Sequence, residues 1–188
     1  MVFTNTIKIC MIVHKNFYGD TRVRRYVESL LTVGAIVDVV CLSGNDNPVV
    51  EPHERLRVYS IPVCHANASR IRYLVEYIYA FALFLIRLSF LHIKNHYQVI
   101  HVHNMPDFLI FSALIPKIMG ARLILDIHDP MPEVFISKYG ERSNKLMLSL
   151  ISFQEKISCF FADTVITVNI KCKANLIKRG IFWKIKRG

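Results

Sequence analysis

The chain lacks the marks of a secreted or metal-stapled protein. Its five cysteines, Cys10, Cys41, Cys64, Cys159 and Cys172, form no CxxC pair and show no metal-ligand spacing. Three lie in or beside apolar strand-like runs, as reduced thiols of a cytosolic protein do, whereas a disulfide framework favours a shorter, loop-rich chain. The start, MVFTNTIKIC, has no basic stretch followed by a long apolar one, so no signal peptide is read there. Glycine is scarce, at seven residues, and no GxGxxG, GxxxxGK[ST] or GxSxG occurs. A backbone that must approach a pyrophosphate needs such glycines, which argues against NAD, FAD and P-loop sites. The nucleophile elbow of an α/β hydrolase is missing too.

Acid is absent from the end of the chain. Nothing acidic follows Asp163, while Lys171, Lys173, Lys178, Arg179, Lys184, Lys186 and Arg187 all do. Without those seven the net charge of +10 falls to +3, so the basicity belongs to the tail and the body is only mildly basic. No helix-turn-helix, zinc-finger or RNP signature accompanies it, and no nucleic-acid partner is expected. What is present is apolar: 53% hydrophobic against 20% charged residues over 188 positions, which suits one globular domain with a sizeable core.

Six short apolar runs read as buried strands, at residues 7–14, 36–42, 56–63, 98–103, 122–128 and 163–168. Helical spacing lies between them. TRVRRYVESLLTVG starts with a capping Asp20 or Thr21 and stops at Gly34; residues 70–96, 106–119 and 143–161 follow, the last beginning near Ser143. Alternating strands and helices predict an α/β, Rossmann-like, doubly wound parallel sheet of three α/β/α layers, with six strands in the order 3-2-1-4-5-6. Residues 1–180 form this domain and 181–188 a basic tail.

The helix at 70–96 is apolar enough to raise the question of a membrane. Glu76 and Arg87 leave ten uncharged residues between them, short of the roughly 20 that a bilayer core requires. It is expected to pack on the sheet; the other reading makes Tyr73, Tyr77, Phe81, Phe84 and Leu88 an exposed patch rimmed by cations at a membrane surface.

In open parallel sheets ligands bind beyond the carboxyl ends of the strands. The fifth run ends in DIHDPMPE, which carries His128, Asp129 and Glu133 over that edge, on a loop stiffened by Pro130 and Pro132. The fourth ends in HVHNMPD, with His101, His103 and Asn104; the loop after the first brings Gly19, Asp20 and Arg22. His101 and His103 alternate along a strand and are expected to face opposite sides, which leaves no shared metal. Asp126, inside its strand, needs a buried hydrogen-bonding partner.

KICMIVHKNFYGDTRVRRYVESLLTVGAIVDVVCL, VIHVHNMPDFL, ARLILDIHDPMPEVF and ADTVITVN resemble, in order and spacing, the N-terminal, acceptor-side domain of GT-B glycosyltransferases of family 4. The resemblance covers about residues 7–180, and HDPMPE is its most specific part. It implies transfer of a sugar from a nucleotide-diphosphate sugar to an acceptor of a polysaccharide or glycolipid pathway, with retention of configuration and with no metal or other cofactor. His128 matches the family histidine at the cleft, near the anomeric carbon. Asp129, Glu133, His103 and Asn104 would meet substrate hydroxyls, Gly19 would let substrate approach, and Asp20 and Arg22 match a D-x-R-V stretch whose other reading is a helix cap with an ion pair. The family continues into a donor-binding C-terminal domain, absent here, so this chain is expected to turn over little alone. A second arrangement stays open: a non-catalytic acceptor-binding or membrane-recruiting subunit that pairs with a separate donor-binding chain. The expected location is cytoplasmic, with peripheral contact at the inner face of the membrane as its extension.

Overall fold

The first strand, β1 (Lys8–Val13), is buried at every residue but its first, as a run covered on both faces must be. The computed structural model describes residues 6–44, 53–62, 70–140, 144–181 and 185–187, with side chains described at all of these except 70–74 and 185–187. Cys64, Ser143 and Trp183 lie outside them. After β1 come α1 (Thr21–Thr32), β2 (Ile36–Leu42), β3 (Leu56–Ile61), α2 (Arg70–Asn95) and β4 (Val99–His103). A 3-10 segment (Asp107–Ala113), α3 (Leu114–Ile118), β5 (Arg122–Ile127), α4 (Met131–Tyr139), α5 (Lys145–Phe161), β6 (Thr164–Thr167), α6 (Ile170–Lys178) and β7 (Ile185–Arg187) complete it.

All strands are parallel, in the order β3-β2-β1-β4-β5-β6-β7. The expected six-strand order stands, and the segment expected to be a tail adds a seventh strand beside β6. One face of the sheet presents Ile12, Val102 and Leu125 to Phe84, Leu88 and Leu109. The other presents Met11, Val37 and Val39 to Phe17 and to Val23 and Val27 of α1. Asp20 starts α1 by accepting from the N–H groups of Arg22 (3.1 Å) and Val23 (3.4 Å); Gly34, at φ +83°, turns the chain out of it.

Two expectations change, and α2 packs on the sheet as expected while the residues of its exposed stripe differ from those of the other reading. The stretch at 106–119 is a seven-residue 3-10 segment, rather more than two turns, followed by a short helix, not a single α-helix. The segment after Pro130 is no stiffened loop but α4, because a proline at the second helical position removes only an N–H that has no intrahelical partner anyway. On α2 the buried apolar residues are Ala80, Phe84, Leu88 and Leu91, with His92 and Asn95 buried near its end, while Tyr77 and Phe81 are half-buried near Phe108. The outward stripe is instead Val75, Ile78, Tyr79, Ile86, Phe90 and Ile93; the side chain of Tyr73 lies outside the described residues. Among the described residues, Val75–Asn95 is the one helical stretch long and apolar enough to cross a membrane.

Candidate functional site

Strands β4 and β5 pair in register, His101 beside Ile124 and His103 beside Asp126. Side chains two apart on a strand share a face, so His101 and His103 point the same way, with ring centroids 4.2 Å apart. The expectation of opposite faces is corrected. Asp126 and His128 share that same face by the same rule, and the four side chains converge. Oδ2 of Asp126 lies 2.8 Å from Nε2 of His128, 3.3 Å from Nδ1 of His103 and 3.7 Å from Nε2 of His101. Tyr26 of α1 closes the cluster, edge-on to His101 at 5.2 Å. All four groups are buried. Burial alone would raise the Asp126 pKa, but the three imidazoles facing it hold it well below the usual carboxylate range. Burial pushes the other way on His103, down to about 4, so that ring is neutral at physiological pH.

Asn104 ties the two strand ends together. Its Oδ1 accepts the backbone N–H of His128 (2.9 Å), and its Nδ2 donates to the carbonyl of Asp129 (2.8 Å) and to Asp107 (3.1 Å). Its side chain is therefore a staple for the His128–Asp129 turn. His128 itself, 8% exposed, forms the wall between two grooves. One, about 560 Å³, is lined by Asp129, Glu133, Lys138 and Asn169; the other, about 340 Å³, by Arg22, Arg25, Tyr26 and Ser29. Such a pair of clefts at the carboxyl edge is where a sheet of this type places ligands.

The remaining expected residues fall out differently. Gly19 is exposed, ahead of α1. Asp20 is buried as its cap, with Arg22 paired to it at 3.3 Å, so capping and ion pair hold both residues while Arg22 still lines the smaller groove. Burial works against ionisation of Asp20, yet the bonds and charge of Arg22 with the backbone donors lower its pKa. Asp129 is exposed at the larger groove. Glu133 is engaged by Arg179 (2.7 Å) and Asn175 (2.7 Å) of the α6 region.

That engagement belongs to a buried group that the sequence reading missed. Arg179 also reaches Glu155 of α5 (2.6 and 3.1 Å), and Asp107 lies within its field. Three acids surround one guanidinium. Burial, then the neighbouring acids, push Glu155 up to about 7 against the pull of Arg179; burial pushes Asp107 up to about 6. A carboxyl whose folded pKa lies above its unfolded one stabilises most below the unfolded value and loses that contribution as pH rises through the folded one. Relative to Glu155→Gln, wild type should lose on the order of 3 kcal/mol between pH 4.5 and 8, read from urea unfolding at both ends. A pH-independent difference would contradict the shift. The sequence signal was a lone acid in the apolar run SLISFQEKISCFF.

The sequence pattern of Glycosyltransferase Family 4 matches residues 19–186 of this chain. The chain belongs to glycosyltransferase family 4. No curated protein matches it in sequence. Its fold is that of the N-terminal domain of GT-B glycosyltransferases. It is similar to Os79 from O. sativa in complex with UDP (TM-score 0.61, 11% identity, 96% of this chain and 51% of that one). LpCGTa in complex with UDP aligns with TM-score 0.64 at 10% identity, over 97% and 53%. Glycyrrhiza uralensis UGT73P12, complexed with glycyrrhetinic acid 3-O-monoglucuronide, aligns with TM-score 0.58 at 8% identity, over 94% and 46%. At such identities the likeness is one of fold alone, and the family 4 chain spans about half the length of these structures. In this family 4 domain, the grooves on either side of His128 occupy the carboxyl edge of the sheet, between the α1 side and the α4–α6 side.

Proposed function

We propose that this domain forms the acceptor-side wall of a glycosyl-transfer cleft, in which a sugar passes from a nucleotide-diphosphate donor to an acceptor of a polysaccharide or glycolipid pathway with retained configuration. The observation that carries the reading is His128: its backbone is stapled by Asn104, its ring is set against Asp126, and it stands between both grooves of a family 4 chain. Both ring nitrogens are buried, Nε2 against Asp126, so the ring would meet a sugar through a side-chain rotation that turns Nδ1 into a groove, from a position its neighbours already fix close by. Asp129, exposed beside it, is placed to accept from an acceptor hydroxyl. Glu133 acts indirectly, holding α4 to Arg179. Arg22 and Arg25 supply positive charge to the smaller groove, while a second lobe facing this one would grip the donor diphosphate. The cytoplasm, where nucleotide-sugars are used, is the location this reading implies.

Labelled nucleotide-sugars offered with saccharide and lipid acceptors to the full chain, with and without a donor-binding lobe, test the proposal. Transfer with retained anomeric configuration should fall by about 10²-fold or more in His128→Ala. Transfer that this substitution leaves unchanged contradicts it.

One feature favours the second arrangement, an acceptor-binding or membrane-recruiting subunit paired with a separate donor-binding chain. The helices α2 and α5 cover the same sheet face, and each turns an apolar stripe outward: Ile78, Ile86 and Phe90 on α2, and Leu146, Leu150, Phe153 and Phe160 on α5. Exposed Arg87, Lys94, Lys145 and Lys156 stand on the same helices. Stripes of this kind beside cations suit an anionic lipid surface. Co-sedimentation with anionic vesicles is expected, weakened about tenfold or more by Phe153→Glu with Phe160→Glu, and absent with neutral vesicles. Equal partitioning of wild type and variant would contradict membrane recruitment through this face.

A further inference from the structure

The cluster behind His128 crowds three imidazoles round one carboxylate oxygen, at 2.8, 3.3 and 3.7 Å, none of them in line for a good hydrogen bond. Among the described residues, Nε2 of His101, both ring nitrogens of His103 and of His128, and both carboxylate oxygens of Asp126 are buried without an aligned hydrogen-bond partner. Buried polar atoms in folded chains nearly always find one, and here several orphans face one another. One ligand atom from each of His101, His103 and Asp126 falls within 4.8 Å of the other two. We propose that these three side chains bind one divalent transition-metal ion, with Zn²⁺ as the best fit, beneath the floor of the crevice.

The donor set and spacing support this. Two imidazole nitrogens and one carboxylate oxygen suit Zn²⁺ and its first-row neighbours; Mg²⁺ and Ca²⁺ prefer oxygen throughout. Metal bonds of 2.0–2.2 Å in a tetrahedron set ligand atoms about 3.3 Å apart. Oδ2 of Asp126 is 3.3 Å from His103 and 3.7 Å from His101, so small side-chain rotations close the shell. His128, its Nε2 2.8 Å from the same oxygen, is the ring that would turn into line to donate to the ligating carboxylate and orient it. Tyr26 packs over both histidines, covering the cluster on the α1 side. Three protein ligands leave the fourth position open for water on the crevice side. The ion lies behind His128 rather than between it and a sugar, so it sets the charge and geometry of the crevice floor. The proposal stands apart from sugar transfer, and its readouts do not need turnover.

The test uses the full chain, stripped with a chelator. Titration with Co²⁺ should give the visible absorption of a tetrahedral N/O site, displaced by Zn²⁺ and not by Mg²⁺. After Zn²⁺ reconstitution and desalting, one equivalent should be retained and the unfolding temperature should rise. His103→Gln, and His101→Gln with His103→Gln, should weaken binding by at least about 100-fold. The helix pair His92 and His96, with ring centroids 6.4 Å apart, lies away from this cluster and serves as a control; His96→Ala should leave binding intact. Retention by the double variant, loss on His96→Ala, or no retained metal and no thermal shift in wild type would each overturn the proposal. The wild-type measurements decide it even where a variant fails to fold.

Discussion

Asp38→Ala is expected to destabilise the domain by about 3 kcal/mol, which for a chain of this size lowers the unfolding temperature by roughly 6–12 °C. Asp38 sits fully buried in mid-β2. Its two oxygens accept from the Arg57 guanidinium of β3 at 2.8 and 2.9 Å, one also accepts from the Tyr97 hydroxyl, and Asn95 at the end of α2 stands at 3.5 Å. The carboxylate thus joins two strands to the link between α2 and β4. Removing it leaves the buried Tyr97 hydroxyl with no acceptor for its proton, although Asn95 still donates to that hydroxyl (3.0 Å), while Arg57, half-exposed, regains water. For that reason the loss should come at the low end for a broken buried pair. Burial, then the neighbouring Cys10 and Asp38, raise the Tyr97 pKa, so its proton stays on the hydroxyl throughout the accessible range. Urea unfolding of wild type and variant measures the effect; a change under about 0.5 kcal/mol, typical of a surface site, would show the network to be dispensable.

Arg179→Ala should be the other large loss, and unlike the first it depends on pH. At pH 8 the substitution removes the positive charge that draws the Glu155 and Asp107 pKa values down, so ionisation of these buried carboxyls loses its partner, and removing one partner of a buried pair costs about 3–5 kcal/mol. At pH 5 Glu155 and Asp107 hold their protons, since burial raises them to about 7 and about 6. The cost there should be smaller by about half or more. Adding Glu155→Gln to Arg179→Ala should recover part of the loss at pH 8. The consequence reaches the site, because Arg179 and Asn175 are what bind Glu133, and Glu133 fixes the first turn of α4 beside His128 and Asp129. Equal losses at pH 5 and pH 8 would contradict the arrangement of three acids on one guanidinium.

The sheet was legible because a strand buried on both faces has to be a continuous apolar run, and IKICMIVH, IVDVVCL and RLILDIH are such runs. Helix α1 was legible to within one residue of its cap, which the sequence left between Asp20 and Thr21 and the structure gives to Asp20. Strand β7 was not, for three residues reading Ile-Lys-Arg acquire strand character only from pairing with β6. Helix α4 was hidden by Pro132, which breaks a helix in its interior and is welcome in its first turn. The strand-end rule placed His128 at the carboxyl edge. The histidine pair on β4 was misassigned although a two-residue period puts both rings on one face, so the cluster around Asp126 came only from the coordinates. The Arg179 group joins residues 24 and 46 positions apart, a proximity no local pattern carries.

The account turns on whether His128 meets ligand at the crevice. Nitrogen-15 and proton NMR of the full chain, with its histidine rings labelled, follows that ring directly during titration with saccharide acceptors and nucleotide-sugars. The His128 resonances should shift on saturation together with the amides of Asp129 and Arg22, while those of His53 and His96 stay fixed. Saturated binding that leaves the His128 ring unmoved would contradict the assignment of this edge as the site.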